Sequence, residues 1–247
     1  MWNSFIIAVQ TMTRLTVQTE QAPTRVEARR AVFLFPLIGA MIGILTAAVW
    51  TVSSHIWTAQ PLAPAALTLA VNLLFTGGRG FGGLARAGDG LAAQGGGGDR
   101  TRAFAIMRDP RRGTTGLIVL GAFLALKLAF LAALPSSTAW SALVIVGVMG
   151  GWASAFAYCA FPVAASGESG PGLAEAGPGE FLAATAVAVA GGAVMPTRGL
   201  LTLLAVAVVA GPTAQSVNRR LGGLNPPLCA ALGEIAEIVA LASLTVR

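Results

Sequence analysis

Residues 75–116 read FTGGRGFGGLARAGDGLAAQGGGGDRTRAFAIMRDPRRGTTG, a glycine- and arginine-rich segment set between two apolar runs. It holds seven arginines (Arg79, Arg86, Arg100, Arg102, Arg108, Arg111 and Arg112) against three aspartates (Asp89, Asp99 and Asp109). A polar segment of this size, pinned at both ends to hydrophobic spans, reads as a large loop at a membrane surface. Its excess of guanidinium groups suits a phosphate-bearing ligand.

The flanking composition supports that reading. Of 247 residues, 55% are hydrophobic and only 11% charged, and the mean hydropathy is +0.74. A soluble domain carries about 25% charged residues. The expected class is therefore an all-α polytopic membrane protein, with residues 1–247 forming a single integral membrane domain. The net charge of +6 does not point to nucleic acid, because nearly all arginines lie beside apolar runs.

Runs suited to helices fall at 31–52, 60–76, 114–134, 138–164, 181–195, 199–215 and 228–246. A crossing takes about 20 apolar residues, so about six to seven transmembrane helices are expected, the second and fifth runs being short. Residues 1–16 form a further amphipathic stretch within an N-terminal segment 1–30, an interfacial or partly inserted helix. MWNSFIIAVQTMTRL lacks a basic leader and a cleavage site, so no removable signal peptide is expected.

Seven spans place segments 17–30, 77–113, 165–180 and 216–227 on one side, and three of these carry twelve of the fifteen arginines. By the positive-inside rule that side is cytoplasmic, so the functional loops are expected to face the cytoplasm. The third segment is acidic, with Glu168, Glu175 and Glu180. Glycines 95–98 read as a flexible connector, or as a loop that closes over substrate. Small residues in GLIVLGAFLALKLAF and VAVAGGAV allow close helix packing. Cys159 and Cys229 read as small buried hydrophobes, and His55 as an interfacial residue.

Charge at membrane depth marks candidate function. Glu234 and Glu237 sit three residues apart in the last run and share a helical face. They can bind a divalent cation, share a proton, or pair with Arg219, Arg220 or the large loop. Lys127 lies mid-run; it can pair with a carboxylate or an anionic ligand, or snorkel to the interface. Arg108, Asp109, Arg111 and Arg112 precede Gly113-Thr114-Thr115-Gly116 where the third run begins. Such a cluster suits a phosphate cradle at a helix N-terminus, and equally a positive-inside anchor.

Several stretches, in order along the chain, resemble the cobalamin synthases, membrane adenosylcobinamide-GDP ribazoletransferases. These are TRLTVQ, RAVFLFPLIGAMIGIL, FTGGRGFGGLARAGDGL, AFAIMRDPRRGTTG and NRRLGGLNPPLCAALGEIAE. The resemblance implies transfer of the aminopropanol-linked phosphate of adenosylcobinamide-GDP to a ribose hydroxyl of α-ribazole or its 5′-phosphate, with release of GMP. It implies corrinoid and nucleotide substrates in a lipid bilayer, with a homo-oligomer or other corrinoid-assembly proteins left open as partners. It further implies Mg2+ held by Asp89, Glu234 and Glu237, with Asp89 and Glu234 catalytic. Arg108, Arg111 and Arg112 would contact the pyrophosphate, oriented by Asp109, and Gly77, Gly78 and Gly83 would allow close backbone approach.

The chain departs from that family's pattern at specific positions. The family's acidic motif has a histidine where Gly80 stands and aspartates where Gly82, Arg86 and Asp89 stand, so one of three aspartates remains. A Thr-Gly-Asp falls on Asn225-Pro226-Pro227, and a Tyr-Ala-Arg falls near Val163-Ala164-Ala165. Two further readings therefore accompany the synthase: a catalytically impaired paralogue acting as a corrinoid-binding or scaffold subunit, and a small membrane transporter using Glu234, Glu237 and Lys127 as a relay.

Overall fold

The computed structural model describes residues 1–17, 22, 24–94, 99–164 and 172–246. Glycines 95–98, Ala165, Glu168 and Arg247 lie outside the described residues.

The described chain is helical, and every apolar run becomes a helix. An N-terminal helix α1 (Trp2–Met12) is followed by α2 (Arg25–Ala31), which passes through a 3-10 turn at Val32–Leu34 into α3 (Phe35–Ile56). Next come α4 (Leu62–Thr76), α5 (Arg79–Gln94), α6 (Arg100–Arg108), α7 (Thr114–Ala132) and α8 (Ala139–Ala160). The chain ends with α9 (Pro178–Gly192), α10 (Pro196–Leu221) and α11 (Pro226–Thr245). Among the described residues five helices are long and apolar enough to cross a membrane: Arg25–Ile56, α7, α8, α10 and α11. Helices α4 and α9 have 15 residues each, or roughly 22 Å at 1.5 Å per residue, short of a hydrocarbon core of about 30 Å.

Helix α8 is the hub. It packs on α3, α9 and α11, and its stretch from Ile145 to Ala153 is buried throughout. The α3–α8 crossing is set by glycine: a Cβ on Gly39 would lie 2.0 Å from the carbonyl oxygen of Gly147, so nothing larger fits there. Helices α7 and α10 are the opposite case, presenting Leu117, Ile118, Leu126, Leu200, Leu204 and Val208 outward. Exposed apolar side chains in rows along helices of spanning length are what lipid contact requires.

The segment 77–113 corrects the expectation of a large loop, since most of it is helix α5 followed by helix α6. Glycine lowers helix propensity by about 1 kcal/mol per residue, and α5 carries five glycines. Tertiary packing overrides this. Phe81, Leu84 and Ala85 are buried, and α5 lies against α11 and α7. Gly83 permits the contact, because a Cβ there would meet the carbonyl oxygen of Pro227 at 2.2 Å. The turn from α4 into α5 runs through Gly77 (φ 68°) and Gly78 (φ 61°), a left-handed backbone that glycine adopts freely. The segment 216–227 is likewise mostly helix: α10 runs to Leu221, and its last carbonyls are met by Gln94 and Arg100, whose side chains donate to Arg220 O at 2.9 and 3.1 Å.

The expected N-terminal helix is present. Asn3 donates to Glu27 at 2.9 Å, and the Arg14 amide donates to Phe75 O at 3.0 Å. These bonds hold α1 against the start of α2 and the α4–α5 turn.

Candidate functional site

Helix α11 begins at Asn225, whose side chain caps the Leu228 amide at 3.1 Å. Its third turn carries Glu234 and Glu237 on one face, and α7 brings Lys127 to them. The Lys127 ammonium donates to Glu234 Oε1 and, at 2.6 Å, to Glu237 Oε2. It also lies 5.3 Å from the centre of the Phe81 ring, an added cation–π contact from α5. The side chains of Lys127, Glu234 and Glu237 are 3%, 8% and 17% exposed. Lys127 therefore does not snorkel, and the glutamates pair with it and not with Arg219 or Arg220. Charges this deep persist only when paired and hydrogen-bonded, and one ammonium between two carboxylates leaves the cluster at a formal charge of −1.

Asp89 is also buried, but it faces elsewhere. Its Oδ2 accepts from the Gly113 amide at 2.8 Å and its Oδ1 from the Gly116 amide at 2.6 Å. These are orphan donors at the start of α7, so Asp89 on α5 acts as an N-terminal cap borrowed from another helix. Both glycines are needed for it, since a Cβ on Gly113 or Gly116 would lie 2.5 or 2.3 Å from its carboxylate oxygens. Of the Gly-Thr-Thr-Gly amides read in sequence as a phosphate cradle, those of Gly113 and Gly116 are thus taken by the chain's own carboxylate.

Between α5 and α11 lies a cavity of about 520 Å3, within the range of roughly 300–1,000 Å3 typical of small-molecule sites. Arg79, Arg86 and Arg112 line it, and Glu234 and Glu237 form part of its wall. Arg79 is steadied by donation to Thr11 O at 2.7 Å, and Arg112 by donation to Asp109 O at 2.7 Å. The Nε of Arg86 is buried without a hydrogen-bond partner among the described residues. Gly77, Gly78 and Gly83 also line the cavity, whereas Arg108, Asp109 and Arg111 do not. Asp109 still orders the segment by accepting from the Arg111 amide at 2.7 Å.

The metal set implied by resemblance does not assemble. Asp89 spends both oxygens on backbone amides, and Glu234 and Glu237 share Lys127. Among the described residues no three His, Cys, Asp or Glu side chains come together as a metal site. The donors present do not fit Mg2+ as that pattern implies.

A family model described as cobalamin-5-phosphate synthase matches residues 4–245. The chain belongs to the cobalamin-5-phosphate synthase family. It is 35% identical over 244 residues to an adenosylcobinamide-GDP ribazoletransferase of Pseudomonas syringae pv. syringae (strain B728a), covering 97% of this chain and 98% of that protein. It is 36% identical over 214 residues to the enzyme of the same name from Roseiflexus sp. (strain RS-1), covering 85% and 77%. No solved structure matches the chain.

Within this member of the family, the departures noted in sequence now have surroundings. A Cβ on Gly80 would lie 2.4 Å from Glu234 Oε2, so glycine there lets the carboxylate sit against α5. A Cβ on Gly82 would meet nothing within 4 Å. Arg86 follows one turn later on the same wall. Asn225, where the family has the threonine of its Thr-Gly-Asp, serves as the cap of α11.

Sequence reasoning missed Arg79, Ser154 and Tyr158 as cavity residues. Arg79 stood in the quoted segment with no feature to separate it from its six neighbours. Tyr158, the chain's one tyrosine, carried a usable signal: a polar tip inside an apolar run.

Proposed function

We propose that the protein is an adenosylcobinamide-GDP ribazoletransferase of late cobalamin biosynthesis, joining adenosylcobinamide-GDP to α-ribazole or its 5′-phosphate with release of GMP. Family membership and the relatives' names supply the reaction. The observation that carries it into this chain is the cavity that Arg79, Arg86, Arg112 and Glu234 line together.

The chemistry asks for charge neutralisation and alignment at a pyrophosphate. The ribose hydroxyl oxygen forms a bond to the phosphorus borne by the aminopropanol arm. The bond from that phosphorus to the bridging oxygen breaks, its electron pair leaves with GMP, and the hydroxyl proton is taken by a carboxylate. Guanidinium groups of Arg79, Arg86 and Arg112 grip the pyrophosphate oxygens. Glu234 receives the proton at Oε2, its other oxygen being held by Lys127. Glu237 shares Lys127 and so fixes the ammonium's place. Asp89 is a positioning residue that sets the start of α7, and with it Arg112.

A cytoplasmic-facing cavity in the inner membrane is the reading that the arginines of α2, α5, α6 and α10 support by the positive-inside rule. With α4 and α9 included, seven helices cross or enter the bilayer, as the seven apolar runs suggest.

The test is turnover. Purified protein in lipid nanodiscs receives adenosylcobinamide-GDP and α-ribazole 5′-phosphate, and GMP is followed by chromatography. Release that needs both substrates and is lost in Glu234→Gln supports the proposal. Absence of release from the wild type in a folded preparation sinks it in favour of a binding subunit.

A further inference from the structure

We infer that this cavity binds its pyrophosphate without a divalent cation: Lys127 occupies the point between Glu234 and Glu237 as a tethered cation, and Arg79, Arg86 and Arg112 supply the remaining positive charge. The inference rests on the transfer reaction proposed above and specifies how its anion is held.

A divalent ion at a pyrophosphate supplies charge neutralisation and fixed oxygen geometry. Both are present here in covalent form. Three arginines against a Lys127–Glu234–Glu237 cluster of charge −1 leave the cavity at a formal +2. Guanidinium forks match phosphate oxygens in pairs, so they orient as well as neutralise. Arg86 keeps a buried Nε with no partner, a donor whose burial is costly until an acceptor arrives.

The carboxylates are committed in the opposite sense. A hard cation would have to take Glu234 and Glu237 from an ammonium already hydrogen-bonded to both. It would leave that ammonium buried with only the Phe81 ring, a large penalty for an unpaired interior charge. Asp89 cannot help, since drawing it away exposes the Gly113 and Gly116 amides at the start of α7. Gly82, a lining position with open space beside its Cα, has no side-chain donor to offer.

The experiment uses the full chain in nanodiscs and two probes, inorganic pyrophosphate by calorimetry and Mn2+ by electron paramagnetic resonance. Wild type is expected to bind pyrophosphate equally in EDTA and in Mg2+, and to show no saturable Mn2+ site. Arg86→Ala is expected to weaken pyrophosphate binding by about tenfold to a hundredfold, as loss of a charged hydrogen-bond donor does. Gly82→Asp with Arg86→Asp places two carboxylates one turn apart on the cavity wall and is expected to create a Mn2+ site. A stoichiometric Mn2+ site in wild type that Glu234→Gln removes overturns the inference while leaving the transferase reading intact. Failure of pyrophosphate to bind with or without metal counts against the cavity as the transfer site itself.

Discussion

Asp89 and Glu234 are equally buried, each 8% exposed, yet they are held in different ways. Asp89 sits on neutral backbone dipoles at a helix start, which satisfy both its oxygens and tie α5 to α7. Glu234 sits on a full charge, the Lys127 ammonium it shares with Glu237, and opens onto a cavity lined by arginines. A carboxylate saturated by backbone amides is architecture; one that shares an ammonium and borders open space is available for chemistry. The family resemblance, read in sequence alone, groups the two with Glu237 as one metal site.

The largest break in this comparison comes from the cation. Lys127→Ala strands two buried carboxylates, and removing one partner of a buried ion pair costs about 3–5 kcal/mol. The expected result is a protein that loses its monodisperse elution or melts far below wild type in detergent. A melting temperature unchanged from wild type would show that the cluster does not carry the charge balance of the core. Next comes Asp89→Ala, which orphans two helix-start amides and is expected to cost about 2–4 kcal/mol, with Asp89→Asn recovering part of it. Pyrophosphate affinity of the folded Asp89→Ala fraction should fall only through the displaced Arg112 and track the loss of stability, which isothermal calorimetry on Asp89→Ala and Asp89→Asn checks. A loss of affinity with no loss of stability would move Asp89 from architecture to ligand contact.

The legibility of this molecule in its sequence divides along the same line. The helices α3, α4 and α7–α11 follow from hydropathy, because apolar runs in lipid must satisfy their own backbone. Helix α5 was hidden because its five glycines argue for a loop, and the packing that overrides them lies on α11 and α7. Glu234 and Glu237 are recognisable as functional candidates from their place in an apolar run. Their partner was recognisable only as one of several, since Lys127 and Glu234 are 107 residues apart. Gly113-Thr114-Thr115-Gly116, which reads in sequence as a phosphate cradle or an anchor, shows why part of the site is not legible. A helix N-terminus attracts an anion whatever its source, and the sequence shows the cradle without showing that Asp89 fills it.

A third, smaller effect separates binding from stability within the cavity. Arg86 has a buried Nε without a partner, so Arg86→Ala should leave the melting temperature unchanged or slightly raised. Turnover should fall by about tenfold to a hundredfold if one charged donor to the pyrophosphate is lost. Unchanged turnover would remove Arg86 from the anion grip and leave Arg79 and Arg112 to carry it.

The finest test lies two residues apart on α5. Gly80 and Gly82 both stand where the family pattern has a side chain, but their spaces differ. A Cβ on Gly80 meets Glu234 Oε2 at 2.4 Å and its Cβ at 2.9 Å, whereas one on Gly82 meets nothing within 4 Å. Gly80→Ala must push Glu234 away from α5 and disturb its bond to Lys127, at about 1–3 kcal/mol for an overpacked contact. Gly82→Ala adds only helix propensity and is expected to stabilise by about 0.5–1 kcal/mol. Melting temperatures of the two variants should therefore move in opposite directions, and turnover should drop only in Gly80→Ala. If both variants behaved alike, Glu234 would not be seated against α5, and the separation between the architectural and the chemical carboxylate would collapse.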